Sequence, residues 1–112
     1  MKYAMLIHYK PGYTDALSED EQKAVFAEYR ALRDDPGFVD AAQLQPIETA
    51  TTVRVQDGQT LTTDGPYADT KEVFGGYYVF EVDNLDEAIE LAARIPAARL
   101  GGAIEVRPLV ER

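Results

Sequence analysis

Lys2-Tyr3-Ala4-Met5-Leu6-Ile7-His8-Tyr9 is the stretch from which the fold follows. In an extended chain Tyr3, Met5, Ile7 and Tyr9 fall on one face, and Ala4, Leu6 and His8 on the other. Both faces are apolar for most of the length, which is the pattern of a central strand covered on two sides. Pro11-Gly12 ends it. Downstream, Ser18-Glu19-Asp20-Glu21 forms a capping box, in which the Ser18 hydroxyl accepts from the Glu21 N–H and the Glu21 carboxylate reaches back. A helix is expected from there to about Asp34, with Val25, Phe26, Tyr29 and Leu32 as its apolar stripe. Pro36-Gly37 closes it.

Phe38 to Gln45 reads as a second strand, halted by Pro46. Thr51 to Val55 and Thr60 to Thr63 flank Asp57-Gly58, a hairpin signal because glycine supplies the positive φ that such turns need. Gly76 to Val82 is a further strand, with Tyr78, Phe80 and Val82 on one face and Tyr77 and Val79 on the other. Asn84 and Glu87 cap a second helix that runs through Ile95 on a stripe of Leu85, Ala88, Ile89 and Ala92; Pro96 stops it. Ala103 to Val110 closes the chain. Without the hairpin the order is the split βαβ, ferredoxin-like βαββαβ of the α+β class. Two helices cover one face of such a sheet. The apolar residues on the other face call for a partner, and a second copy packed sheet to sheet answers that need.

The 112 residues make one domain, 1–112, with a core of ordinary size. No cysteine is present, which excludes disulfides, thiolate zinc sites and thiol catalysis. Twenty acidic against eleven basic residues give a net charge of −9, a poor match to a nucleic-acid backbone. The apolar N-terminal run is too short for a signal segment and no later run approaches a membrane span, so a cytoplasmic protein off the membrane is expected. A cofactor motif is absent, and no ligand spacing supports a metal.

The chemistry-bearing residues cluster in Thr63-Asp64-Gly65-Pro66-Tyr67-Ala68-Asp69-Thr70-Lys71-Glu72, which leads into Val73-Phe74-Gly75-Gly76-Tyr77-Tyr78. Asp64-Gly65-Pro66 alone is ordinary turn chemistry. The rest carries more polar groups than a turn requires, and loops on a rigid scaffold are where binding groups concentrate. Asp64 is therefore a candidate general base. Tyr67, Thr70, Lys71, Glu72 and Tyr77 are candidate ligand-binding residues, with Lys71 suited to hold an anionic group. Gly75-Gly76 marks a bulge or a close backbone approach. His8 is the only histidine, and histidine is the side chain whose ordinary titration falls near neutral pH. A pair of His8 with Asp64 would suit acid–base work if the fold joins them; otherwise His8 is simply bonded at the sheet end.

These motifs, with Met1 to Ile7, Leu44-Gln45-Pro46, Glu48 to Arg54, Ala93 to Pro96 and Glu105 to Pro108, resemble the DGPFAETKE group of the YCII-related family along nearly the whole chain. Tyr67 stands where the family usually has Phe, and Asp69 where it has Glu. The resemblance implies a dimeric α/β barrel of two ferredoxin-like protomers. It also implies a link, for some relatives, to extracytoplasmic-function sigma factors. The wider branch carries a His–Asp pair proposed as an enzyme centre. Its His lies near the first helix, where Ser18 to Asp34 has none, so Asp64 carries over and His8 does not. The favoured expectation is a homodimer that binds a small metabolite in a cleft near this loop, with the acid–base enzyme and the sigma-factor partner as alternatives.

Overall fold

The computed structural model describes residues 1–66 and 71–111. Among the described residues six strands and two α-helices follow one another as β1 (Lys2–Tyr9), α1 (Glu19–Ala31), β2 (Phe38–Gln43), β3 (Thr51–Gln56), β4 (Gln59–Asp64), β5 (Val73–Glu81), α2 (Leu85–Ala93) and β6 (Ala103–Pro108). The main sheet has the order β2-β5-β1-β6, antiparallel throughout, with β1 central as its two-sided apolar pattern predicts. This is the ferredoxin-like order, and β3–β4 forms a separate two-stranded sheet inserted into it.

Both helices pack on one face. Tyr3, Met5 and Ile7 of β1 and Tyr78 and Phe80 of β5 meet Leu32, Ala88, Leu91, Ala92 and Ile95 in a single core, with Met5 and Phe80 fully buried. The Ser18 capping box forms as expected. The Ser18 N–H, more than its hydroxyl, holds the Glu21 carboxyl below its ordinary range. Asn84 caps α2 by accepting from the Glu87 N–H.

Two apolar stripes differ from expectation. Phe26 is 58% exposed and stacks under Arg30, because it lies roughly 100° round the helix from Val25 and so leaves the arc that Val25, Tyr29 and Leu32 share. On α2 the buried arc is Ala88, Leu91 and Ala92, which puts Leu85 and Ile89 at its exposed margin. Tyrosines tie α1 to the sheet. Tyr78 donates to the Tyr29 carbonyl at 2.6 Å, and the Tyr13 and Tyr29 hydroxyls lie 2.8 Å apart. Burial first, then the Tyr13 hydroxyl, pushes the Tyr29 phenol well up and keeps it neutral.

The opposite face of the sheet carries Ala4 and Leu6 of β1 beside Val79 and Tyr77 of β5, with Ala42 across from Tyr77. Neither helix covers these residues. The hairpin turns on Asp57 (φ 51°) and Gly58 (φ 76°), the left-handed pair of a tight two-residue loop. None of its residues belongs to the core, and Val53 and Val55 are 59% and 71% exposed. Among the described residues no helix is long and apolar enough to cross a membrane.

Candidate functional site

The site begins with a change of phase in β5. Ile7 faces Gly76 but His8 faces Phe74, so Gly75 is an extra residue bulged out between them. Side chains alternate along a strand, and one added residue reverses which face each takes upstream of it. Without the bulge Phe74 would share the core face of Tyr78 and Phe80. With it Phe74 stands beside His8 on the other face, ring centroids 5.8 Å apart, while Val73 is buried. The pairing also explains why β5 begins at Val73 and not at Gly76. Both glycines are required: a Cβ on Gly75 would lie 2.1 Å from the Tyr9 ring, and Gly76 has φ 154° with the Ala42 carbonyl 2.4 Å from where its Cβ would be.

A second wall comes from residues 44–50. β2 stops at Gln43, short of the expected Gln45, and the Leu44 N–H still donates to the Gly75 carbonyl at 2.9 Å. Pro46 then turns the chain into a 3-10 turn over Ile47–Thr49, closed by the Thr49 hydroxyl on the Pro46 carbonyl at 2.7 Å. At the base of the hairpin the Gly65 N–H donates to the Ala50 carbonyl at 2.7 Å, and the Thr52 hydroxyl to the Gly65 carbonyl at 2.8 Å. These bonds bring Pro66 to the same opening.

Together the elements enclose an open-mouthed cavity of about 970 Å³. Leu44, Pro46, Ile47, Pro66, Val73 and Phe74 give it apolar walls, and His8, Lys10, Lys71 and Glu72 stand at it as the ionisable groups. The volume is that of a small-molecule site, and apolar walls with a few polar groups are the usual lining of one. His8 Nε2 lies 3.4 Å from Glu105 Oε1. Glu105 faces Leu6 in the β1–β6 register and so stands diagonally from His8 on the same face. An imidazole beside a carboxylate can be held in one orientation and can pass a proton.

Of the candidates read from the sequence, His8, Lys71 and Glu72 meet in this cavity. Asp64 ends β4 opposite Thr51 and is not among the residues that line this cavity. Tyr77 lies on the uncovered sheet face, its hydroxyl 3.4 Å from Asp40 Oδ2, also outside the cavity. Tyr67 and Thr70 fall outside the described residues. Glu105, Lys10, Phe74 and the 44–50 wall were not foreseen. Only the Gly-Gly pair and Pro46 signalled them, as a bulge and a strand end. Among the described residues no three acidic or histidine side chains converge on a metal position.

The family described as YCII-related domain matches residues 1–112. An uncharacterized protein of Rhizobium meliloti is 34% identical over 116 residues, covering 97% of this chain and 92% of that one. Among solved structures, a 5-chloro-2-hydroxyhydroquinone dehydrochlorinase from Burkholderia phenoliruptrix, in complex with 2,5-dihydroxybenzoquinone, superposes over 100% of this chain and 96% of its own. The TM-score is 0.53 and the identity 17%, a likeness of fold.

Proposed function

The chain belongs to the YCII-related family, and from that premise we propose that it is a small-molecule-binding protein whose ligand sits in the His8–Lys71 cavity. The observation that carries this reading is the convergence of His8, Lys10 and Lys71 on a cavity whose remaining walls are mostly apolar. Three separate segments must be folded to make it, and a bulge is spent on aiming Phe74 into it. The dehydrochlorinase, an enzyme with 2,5-dihydroxybenzoquinone bound, is in keeping with that reading.

A thermal-shift screen of small metabolites should yield stabilising compounds. Leu44→Trp fills the cavity from an exposed position and should weaken them at least tenfold while leaving the unliganded melting temperature within about 2 °C, as exposed substitutions usually do. Asp64→Asn should leave binding unchanged. The reverse pattern, with binding lost in Asp64→Asn and kept in Leu44→Trp, would move the site to the end of the hairpin.

The pair of His8 and Glu105 supports a second reading, an acid–base enzyme in which Glu105 rather than Asp64 orients the imidazole. If a screened compound is turned over, Glu105→Gln should lower kcat on the order of 100-fold, the low end of the range for a positioned proton-transfer group, with KM little changed. A kcat that survives Glu105→Gln but falls in Asp64→Asn would return the role to Asp64.

We further propose that the working form is a homodimer with the uncovered sheet faces together, a barrel of two protomers. The chain's radius of gyration is 16.0 Å, where a compact single domain of this length has about 13 Å. Its accessible surface is 7940 Å², against about 6100 Å² for a folded monomer of this mass. The hairpin contributes exposed apolar side chains at Val53, Val55 and Leu61, which a second copy would cover.

A further inference from the structure

We infer that the cavity takes a small organic anion with a flat apolar body, a carboxylate or phenolate on a ring or conjugated chain; this rests on its being the ligand site. The chain has four lysines, and two of them, Lys10 and Lys71, line this one opening beside the only histidine. In a molecule of net charge −9 that is a local reversal of sign. Among the described residues neither ammonium makes an ion pair, so both remain available to a ligand.

The type of cation narrows the class. Among the described residues no arginine lines the cavity, and it is arginine that offers the planar fork suited to phosphate and bidentate clamping. Lysine is a compact point charge, adequate for a single anionic group. Most of the other walls are apolar, and they disfavour a ligand that is anionic along its whole length. The remainder of the ligand must therefore be uncharged. Phe74, 41% exposed at the cavity, gives a ring face for it to lie on, and Pro46 and Pro66 are flat, rigid surfaces that hold their shape without a ligand.

The test uses benzoate as the anionic probe, benzamide as its neutral isostere and acetate as the charge without the ring. Binding is followed by NMR on the single His8 imidazole and the Phe74 ring. Benzoate should shift both saturably at about millimolar concentration, the strength expected of so small a ligand. Benzamide should bind about tenfold more weakly, since charge-assisted bonds are worth roughly that ratio or more. Acetate should leave Phe74 unmoved. Raising the salt should weaken benzoate and not benzamide. In the Lys10→Gln, Lys71→Gln double variant, with melting confirming the fold, benzoate and benzamide should become equal. Equal binding of the two by the unaltered protein would overturn the anion class and leave the cavity as a site for neutral ligands. Failure of all three probes, with no compound in the metabolite screen sensitive to Leu44→Trp, would overturn the site itself.

Discussion

Gly76→Ala should lower the melting temperature by more than about 10 °C, a large effect for a change of one methyl group. Two costs combine. At φ 154° the residue sits in backbone space that side chains rarely enter, worth about 1–3 kcal/mol. The new Cβ would also lie 2.4 Å from the Ala42 carbonyl, and that atom is backbone in the neighbouring strand, so β2 or β5 must move. A displacement there breaks pairing at the edge of the sheet and adds on the order of 1–3 kcal/mol, the range for overpacking. The sum is a large part of the roughly 5–15 kcal/mol that holds a domain together, and in a domain of this size each kcal/mol is worth roughly 4–8 °C. Gly101→Ala is the control. Its φ is 91° but nothing lies within 4 Å of the new methyl, so it should carry only the backbone cost, about 1–2 kcal/mol. Equal melting temperatures for the two variants would show that the bulge tolerates a side chain.

Light scattering at micromolar concentration should return twice the 12.4 kDa chain mass. The chain has its helices on one face only, with half-buried Leu6 and Tyr77 and buried Val79 on the other and with Val53, Val55 and Leu61 exposed on the hairpin. Stable interfaces bury about 800 Å² per partner. The excess of observed over expected monomer surface is of the order of 1800 Å², enough to supply that twice over. Leu6→Lys should convert the dimer to monomer, because it sets like charges against each other in the middle of the joined faces and leaves the helix-side core untouched. A unit mass of 12.4 kDa for the unaltered chain would remove the barrel arrangement.

The sheet and its order were legible because the signals for them are local. Alternation in β1, the capping box at Ser18, the Asn84 cap and the Asp57-Gly58 turn each report the nearest few residues, and the ferredoxin-like order follows from their succession. The site was legible in part. His8, Lys71 and Glu72 could be chosen by chemistry and position. Glu105 could not, because its meeting with His8 depends on the β1–β6 register, and nothing in either strand's own sequence states how the two align. Phe74 was hidden for a related reason. Its face is set by one bulged residue, and the Gly75-Gly76 pair signals a bulge without saying which glycine is the extra one. The helix stripes failed at their margins, at Phe26, Leu85 and Ile89, because apolarity alone does not say where on a helix the packed arc ends.

The hairpin has a consequence that reaches the cavity. β3 and β4 share no residue with the core, and an isolated two-stranded ribbon is barely stable in water. Its base is nonetheless fastened to the cavity wall, through the Gly65–Ala50 bond that holds Pro66 in place. If a second copy is what steadies the ribbon, dilution loosens the wall and ligand affinity falls with it, by mass action alone. Linkage makes this reciprocal: a ligand that tightens the wall also draws protomers together. The association state and the occupancy of the site would then be one coupled variable, set jointly by the amounts of protein and ligand.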